Sequence, residues 1–193
     1  MNAYPRRAGA PLAEPVTLLE ALVHLREEAD AGANDAYISS LISVARQACE
    51  DRTERTLVHT PWLLQLDAFP AAIVLHQPPI ASVESVQYLD VDGALRTLDP
   101  ADYVLDAASE PGYLVPAPDR SWPATQAGAV NTVRVRYTAG YGATAAIVPM
   151  PLKQWILLAV GSMYNTRNAD AEKDQVRHGF VDALLNPYRL LGV

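Results

Sequence analysis

Prolines divide the middle of the chain so finely that no long helix can form there. Nine prolines fall between residues 58 and 141 of this 193-residue chain. They are Pro61, Pro70, Pro78, Pro79, Pro100, Pro111, Pro116, Pro118 and Pro123. Each lacks the N–H that a helical hydrogen bond needs, and its ring clashes with the preceding turn. This part of the chain is therefore predicted to consist of short β-strands.

Hydrophobic patterning in the same region is that of strands. Apolar and polar residues alternate along residues 132–137, which is typical of a strand with one buried and one wet face. An Asp-Gly pair at residues 92–93 lies between two apolar runs, a strong hairpin signal. We predict a small antiparallel sheet or sandwich, inserted over residues 58–148.

Two amphipathic helices are predicted over residues 17–57. Thr17 and Glu20 have the spacing of a capping box, in which each side chain accepts a hydrogen bond from the other residue's backbone. After a short Gly-Ala-Asn break, Asn34 or Asp35 is expected to cap the second helix. Two helices joined by so short a polar turn indicate an antiparallel hairpin.

The second of these helices has one apolar face and a charged remainder. Its apolar face consists of Ile38, Leu41, Ile42, Ala45 and Cys49. Arg46, Glu50 and Arg52 fall outside this face, and the alternating charges of residues 50–55 are typical of a solvated surface. We therefore expect these charged side chains to be exposed.

A third helix is predicted over residues 149–168. Pro149 and Pro151 suit its first turn, where a missing N–H is harmless. It is apolar on almost every side, so we expect it to be buried within its own domain or between subunits. A polar loop and an apolar tail follow over residues 169–193, and residues 1–16 are expected to form a flexible arm. The predicted fold class is α+β: an α-helical bundle with an inserted β domain and a C-terminal tail.

Charge and composition exclude several classes of function. A net charge of −7 and a pI near 5.0 argue against general nucleic-acid wrapping. No apolar run reaches the length of a membrane span, and the N-terminus lacks the apolar core of a secretory signal. The single cysteine, Cys49, excludes an intramolecular disulfide, and its place on an apolar face favours burial over reactivity.

No segment has the residue spacing of a catalytic, metal or cofactor site, so none is predicted. The four histidines are His24, His59, His76 and His178, and no two are spaced to hold a metal on one helix face. Gly140 and Gly142 follow a strand without the third glycine of a dinucleotide site. A hydrolase would require His59 or His76 to meet a carboxylate and a nucleophile in space.

The order and spacing of the motifs resemble a known phage family. The similar segments lie at 16–21, 24–26, 45–50, 77–80, 86–93, 133–142, 149–153, 164–167 and 184–189, with Arg55, Tyr103, Trp122 and Pro123. Together they resemble the head–tail connector (adaptor, or head-completion) proteins of long-tailed phages and gene transfer agents.

The resemblance implies a structural virion protein of the neck, without enzymatic turnover, assembled in the host cytoplasm. It implies a homo-oligomeric ring, a dodecamer, beneath the portal protein, extending the DNA channel and docking the next neck protein, a stopper or tail terminator. DNA would pass without sequence-specific binding, and no cofactor or membrane would be involved. Twelve copies would carry a summed formal charge of about −84, an acidic wall along which DNA slides. The alternative is that this charge only keeps the protein soluble.

Two sets of residues are candidates for contacts in such a ring. The C-terminal tail is expected to dock on the portal through Leu184, Leu185, Pro187, Tyr188 and Arg189, since such anchors dominate interfaces. The alternative is that this tail folds back on the third helix as core. The third helix is expected to contact neighbouring subunits through Trp155, Ile156, Leu158, Met163, Tyr164 and Arg167.

The inserted β domain carries a further candidate and the main alternative function. Arg134 and Arg136, on the wet face of one strand, are expected to form an outer rim or to receive the next neck component. The alternative is a non-catalytic sandwich module that binds a protein or a carbohydrate. In that case Trp62, Trp122 and Tyr141 would line a groove.

Overall fold

The computed structural model describes residues 4–29, 32–166 and 178–190. Within these ranges the chain forms helices and antiparallel strands, which confirms the predicted α+β class. No helix there is both long enough and apolar enough to cross a membrane.

The chain divides into two compact units. The β unit comprises Met1–Pro11 and His59–Tyr141. The helical unit comprises Leu12–Val58 and Gly142–Val193. Each unit is therefore built from two stretches that are far apart in the sequence.

The described α-helices belong to the helical unit. They are α1 (Leu18–Leu25), α2 (Ala33–Thr53), α3 (Met150–Thr166) and α4 (His178–Ala183), with 3-10 turns at Ala145–Ile147 and Asn186–Tyr188. The capping box of α1 is confirmed, because the Glu20 N–H donates to Thr17 Oγ1 and the Thr17 N–H donates to the Glu20 carboxylate. The predicted cap of α2 is wrong: Gly32 precedes the helix, and Asn34 and Asp35 lie inside its first turn.

The core of the helical unit forms where α2 packs against α1 and α3. The predicted apolar face of α2 is buried, with Ile38, Ala45 and Cys49 fully inaccessible. Leu152 and Ile156 of α3 are equally inaccessible. The 3.6-residue periodicity of α2 therefore identified the side that faces the core.

Eight described strands form the β unit. They are β1 (Arg6–Arg7), β2 (Thr60–Leu66), β3 (Ile73–Leu75), β4 (Ile80–Leu89), β5 (Leu95–Thr97), β6 (Tyr103–Asp106), β7 (Gly112–Pro116) and β8 (Val133–Ala139). They pair into a five-stranded sheet, β1-β2-β8-β4-β5, and a three-stranded sheet, β3-β7-β6, with antiparallel neighbours throughout. Side chains of both sheets share one apolar core, exemplified by Leu64, Ile73 and Leu114.

Strand β8 lies at the centre of the larger sheet. Its inward residues Val133, Val135 and Tyr137 are fully buried, whereas Arg134 and Arg136 are exposed, as the alternation predicts. The predicted hairpin is also present, since β4 pairs with β5 across the Asp-Gly turn. The alternation in the sequence therefore correctly predicted which side chains of β8 are buried and which are exposed.

Residues 1–16 differ from the flexible arm that the sequence predicts. Arg6 and Arg7 pair with Leu63 and Trp62 of β2, so this segment forms the edge of the larger sheet. Val16 is fully buried in the helical unit. The expectation of an arm is wrong over the described part of this segment, because backbone pairing and one buried valine hold it in place.

Candidate assembly surfaces

Helix α3, the predicted subunit interface, is largely used inside the helical unit. Trp155 is 5% exposed and Ile156 is inaccessible, whereas Leu158, Met163 and Tyr164 are half-buried. Arg167 lies outside the described residues. The described candidate residues are therefore largely covered within the helical unit, whereas Met150 at the start of the helix is exposed.

Polar groups hold Trp155 in its place. Its Nε1–H donates to Asp182 Oδ1 of α4 at 3.0 Å, and the Arg52 guanidinium lies 5.1 Å from its ring centroid. The other end of α3 is held by the Tyr164 hydroxyl, which donates to Asn34 Oδ1 at 3.2 Å. These contacts join α3 to both α2 and α4.

The C-terminal tail folds back onto the helical unit over the described residues. Leu185 is fully buried, and the Leu190 N–H donates to the Thr53 carbonyl at 3.2 Å. The Arg55 Nε–H donates to the Tyr188 carbonyl at 2.5 Å. Leu184 and Tyr188 are half-buried, and Pro187 and Arg189 are exposed. The tail thus serves as core through Leu185 and presents a different set of side chains to solvent.

A buried ionic cluster joins α2 to the segments that flank it. Arg46 donates from its guanidinium to Glu50 at 2.7 Å and to Glu14 at 2.8 Å, and the side chains of Arg46 and Glu50 are 5% and 1% exposed. The other carboxylate oxygen of Glu50 accepts from the Leu57 N–H at 3.0 Å. Glu14 also accepts from Ser43 Oγ at 2.6 Å.

This cluster corrects the prediction that Arg46, Glu50 and residues 50–55 are solvated. Arg46 and Glu50 are buried, as are Thr53 and Arg55, whereas Arg52 is exposed as expected. A buried ion pair survives when its remaining hydrogen-bonding capacity is filled, as the Leu57 N–H and Glu14 do here. The sequence signal was the i,i+4 spacing of Arg46 and Glu50, but that spacing is equally common on exposed helices.

A second ion pair ties α1 to α3. Lys153 Nζ donates to Glu20 Oε1 at 2.6 Å, and Lys153 is itself almost fully buried. Burial alone raises the pKa of the Glu20 carboxyl, but the hydrogen bonds from Lys153 and Thr17 outweigh it and lower the pKa below its ordinary value. The first turns of α1 and α3 are therefore held side by side.

An open pocket lies beside these two turns. Its volume is about 380 Å³, and it lies between the segment before α1, the start of α1, one flank of α2 and the turn before α3. Its lining residues are mainly apolar: Ala13, Glu14, Val16, Thr17, Leu18, Ser39, Ile42, Thr144 and Ala145. The carboxylate of Glu14 is engaged by Arg46 and Ser43, so the pocket can accept an uncharged, apolar group.

The segments that line this pocket, together with the start of α3, also carry exposed apolar side chains, which we call the apolar rim. The rim consists of Leu12, Leu19, Val23, Ile147 and Met150, which are 69%, 70%, 71%, 58% and 69% exposed. Leu12 and Leu19 each adjoin a lining residue in sequence, and Val23 lies one helical turn after Leu19.

The sequence pattern of α1 contains one signal for the rim. Leu19 and Val23 are four residues apart on the side of α1 away from the buried pair Ala21 and Leu22. An apolar pair on the outer side of a capped, amphipathic helix indicates a contact surface. Leu12, Ile147 and Met150 lie in different segments, so no local pattern relates them to one another.

The wet face of the larger sheet carries three arginines. Arg6, Arg134 and Arg136 are exposed, and within the described part of the chain none of them forms an ion pair. Arg6 and Arg136 are both cross-strand partners of Leu63, so their side chains share one face. On this face the Glu84 carboxylate accepts from Thr138 Oγ1 at 2.7 Å. The face is a basic patch on an acidic protein.

Trp62 and Trp122, two of the aromatic residues proposed to line a groove, pack against other side chains of the β unit. Trp62 is buried in the core of the β unit, with the Arg7 guanidinium 5.3 Å from its ring centroid. Trp122 stacks on Phe69 at 4.8 Å. Because Trp62 lies in this core, it does not line the groove expected of a sandwich-type binding module.

His76 and Cys49 pack among residues that serve the fold. The His76 ring stacks on Tyr4 at 5.0 Å, and the His76 carbonyl accepts from the buried Tyr137 hydroxyl at 2.9 Å. Among the described residues no group of three or more His, Cys, Asp or Glu side chains is placed to hold a metal. Burial raises the pKa of the Cys49 thiol to about 12, so the thiol stays protonated.

Solved structures with this fold come from virus-like particles that transfer genes. No protein-family model and no curated protein matches the chain. It is 27% identical to a chain in the neck of an empty gene transfer agent (GTA) particle computed with C6 symmetry, with a TM-score of 0.79 over 98% of this chain and 97% of that one. It is 26% identical to a chain of the virion of a native GTA particle, with a TM-score of 0.78 over 98% and 96%.

A third match shows the same fold at lower identity. The chain in question lies in the neck of a native GTA particle computed with C12 symmetry, with 24% identity and a TM-score of 0.74 over 98% of this chain and 97% of that one. The likeness in all three extends over both units. This chain is therefore similar over its whole length to chains of the GTA neck and virion.

Proposed function

We propose that this chain is a structural protein of a virion neck, a head–tail connector that forms a ring beneath the portal. The observation that carries the proposal is the whole-length similarity to a GTA neck chain, at a TM-score of 0.79. Shared folds often host different functions. Here the match spans both units, and its particle of origin agrees with the motifs of the sequence.

The ring is proposed to contain twelve copies. Similar chains lie in necks computed with C6 and with C12 symmetry, and both are compatible with a ring whose copies are related by rotation. Twelve chains of net charge −7 would surround the passing DNA with negative charge, which disfavours sticking of the phosphate backbone. The role is structural, without turnover, and assembly takes place in the host cytoplasm.

We propose that the exposed side of the C-terminal tail contacts the portal. Pro187 and Arg189 are free in solvent, and Leu184 and Tyr188 are half-buried beside them. An exposed arginine next to a conformationally restricted proline is a suitable interface anchor. Leu185 has a different part: it fixes the tail on its own chain and does not reach the partner.

The arginine face of the larger sheet is proposed to receive the next neck protein, a stopper or tail terminator. Arg134 and Arg136 lack ion-pair partners within the described residues, so their charge is available to an acidic partner surface. Complementary charge of this kind raises association rates and fixes orientation.

Electron microscopy of the purified protein with its cognate portal ring tests the function. A new layer of density on the portal, with cyclic symmetry, is the expected result. The same mixture prepared with Arg189→Ala should give a sparser layer, whereas Ser121→Ala, an exposed change in the β unit, should give the normal one. Absence of any layer across a range of salt concentrations would contradict the connector function.

A further inference from the structure

We infer that the pocket and the apolar rim of one copy receive the opposite flank of α2, at Val44, from a second copy of this chain. The copies would then join head to tail around the ring. This inference rests on the proposed neck function and names the surfaces by which that ring closes.

Ring symmetry is the first reason to expect a second copy of this chain in the pocket. A cyclic ring is closed by heterologous contacts, in which every copy presents two different, complementary faces to its two neighbours. The similar neck chains lie in particles computed with C6 and C12 symmetry, which is compatible with contacts of this kind. A rim that exposes apolar area in a free monomer needs a cover, and a repeated copy supplies one for every pocket in the ring.

The two faces lie on opposite flanks of one helix. Ser39 lines the pocket, and Val44 follows five residues later on α2. At 100° per residue these positions are about 140° apart around the helix axis. Val44 is 50% exposed although it is aliphatic. α2 can therefore carry the acceptor face of one contact and the donor face of the next.

The chemistry of the pocket suits such a guest. Val16, Leu18, Ile42 and Ala145 supply apolar walls. The carboxylate of Glu14 is already bonded to Arg46 and Ser43 within the same chain before a guest enters the pocket. A pocket of about 380 Å³ has room for one aliphatic side chain and its neighbours.

The remaining surfaces of the helical unit are less suitable. Trp155 and Ile156 of α3, which the sequence favours as an interface, are already buried in their own unit. The first turns of α1 and α3 are held together by Lys153 and Glu20. The rim residues on these turns therefore have fixed positions. A preorganised surface of this kind loses little entropy when a partner covers it.

Cysteine cross-linking tests the contact directly, because the native Cys49 is inaccessible and protonated. The full-length double variant Leu19→Cys with Val44→Cys is treated with a short flexible bismaleimide, with and without the cognate portal. Head-to-tail packing brings residue 19 of one copy to residue 44 of the next, so a ladder of covalent multimers is expected on a denaturing gel. Either single variant, and the unmodified chain, should give no ladder.

A charge variant gives a second readout that does not depend on cross-linker reach. Leu19→Asp with Val23→Asp should stay folded, because both side chains are about 70% exposed, and should form no ring layer on the portal. The matched control is Val91→Asp with Val130→Asp in the β unit, at 62% and 72% exposure, which should leave the layer intact.

The outcomes separate the two proposals. A ring layer on the portal without any ladder, together with a normal layer from Leu19→Asp with Val23→Asp, would overturn this inference and leave the connector function standing. No layer from the unmodified chain would overturn the connector function. Cross-linking of the double cysteine variant at high protein concentration, without portal, would then test the head-to-tail contact alone. A ladder supports the contact, and its absence contradicts it.

Discussion

The two units of this protein are stabilised in different ways. The core of the β unit is apolar, and its strands are joined by regular antiparallel ladders. The helical unit has an apolar core as well, but it buries Arg46, Glu50, Arg55 and Lys153. Each of these side chains forms a hydrogen bond to a residue in another segment of the chain. The strands of the β unit are therefore joined by backbone pairing, whereas in the helical unit buried charged side chains join distant segments.

This difference bears on the ring contact that we propose for the helical unit. Apolar burial is non-directional, so it tolerates small shifts of one element over another. Charged hydrogen bonds fix geometry, because a misplaced partner leaves a buried charge unpaired. A ring that must close needs surfaces in fixed positions, and the helical unit has such ties at Glu20, Glu14 and Arg55.

Breaking the ionic cluster should have the largest effect. Glu50→Ala leaves the Arg46 guanidinium and the Leu57 N–H buried without their carboxylate. We expect unfolding in urea to show a loss of about 3–5 kcal/mol, the usual cost of removing one partner of a buried ion pair. The exposed neighbour Asp51→Ala should stay within about 0.5 kcal/mol of the unmodified protein. A loss below about 1 kcal/mol for Glu50→Ala would show that the cluster is not a structural tie.

Truncating the buried tail residue should be next in size. Leu185→Ala removes a fully buried side chain from the helical core, so a loss of about 2–5 kcal/mol is expected. Leu114→Ala in the core of the β unit provides the matched measurement, since that leucine is equally inaccessible. If Leu185→Ala left the melting temperature unchanged while portal binding was lost, the tail would be free for docking after all.

Acid should weaken the helical unit through Glu20. Because the pKa of Glu20 is lowered in the folded protein, its contribution is complete above the ordinary value of 4.5 and is lost as the pH falls through the lower folded value. Glu20→Gln should therefore be less stable than the unmodified chain at neutral pH, and the difference should shrink in acid. The carboxylate is partly exposed, so solvent screening keeps the effect below about 1 kcal/mol. A stability difference that is constant from pH 7 to strongly acidic pH would contradict the ion-pair role.

The smallest effect on stability is expected on the arginine face. Arg134→Ala with Arg136→Ala should change the free energy of unfolding by less than about 0.5 kcal/mol, because both side chains are exposed and unpaired within the described residues. The same variant should slow joining of the tail in an assembly assay, most clearly at low salt. Ser121→Ala, an exposed change outside the strands of this sheet, is the control. Normal tail joining would count against the docking role of this face.

The sequence predicted the elements better than the contacts between them. Prolines and alternation located the strands, and the capping box at Thr17 located the start of α1, because these signals act within a few residues. The burial of Arg46 and Glu50 was missed, since it depends on Glu14 and Leu57, which only the fold brings close. The arm at residues 1–16 was mistaken for a flexible segment because pairing of Arg6 and Arg7 with β2 leaves no pattern in two residues.

The surfaces for assembly were the hardest to predict. An all-round apolar helix suits a subunit interface and a buried core equally well, and the structure uses Trp155 and Ile156 for the core. The residues that remain exposed, Leu19 and Met150 among them, come from segments far apart in the chain. Sequence periodicity describes one element at a time, so it cannot identify a surface whose residues come from several segments of the chain.

Electron microscopy of the full-length protein mixed with its cognate portal ring tests the central claim most directly. The connector function predicts an added ring of density stacked on the portal, whose rotational symmetry gives the copy number and whose features accommodate both units of this chain. A portal that stays bare at every salt concentration, while the protein itself is folded, would contradict the proposed function.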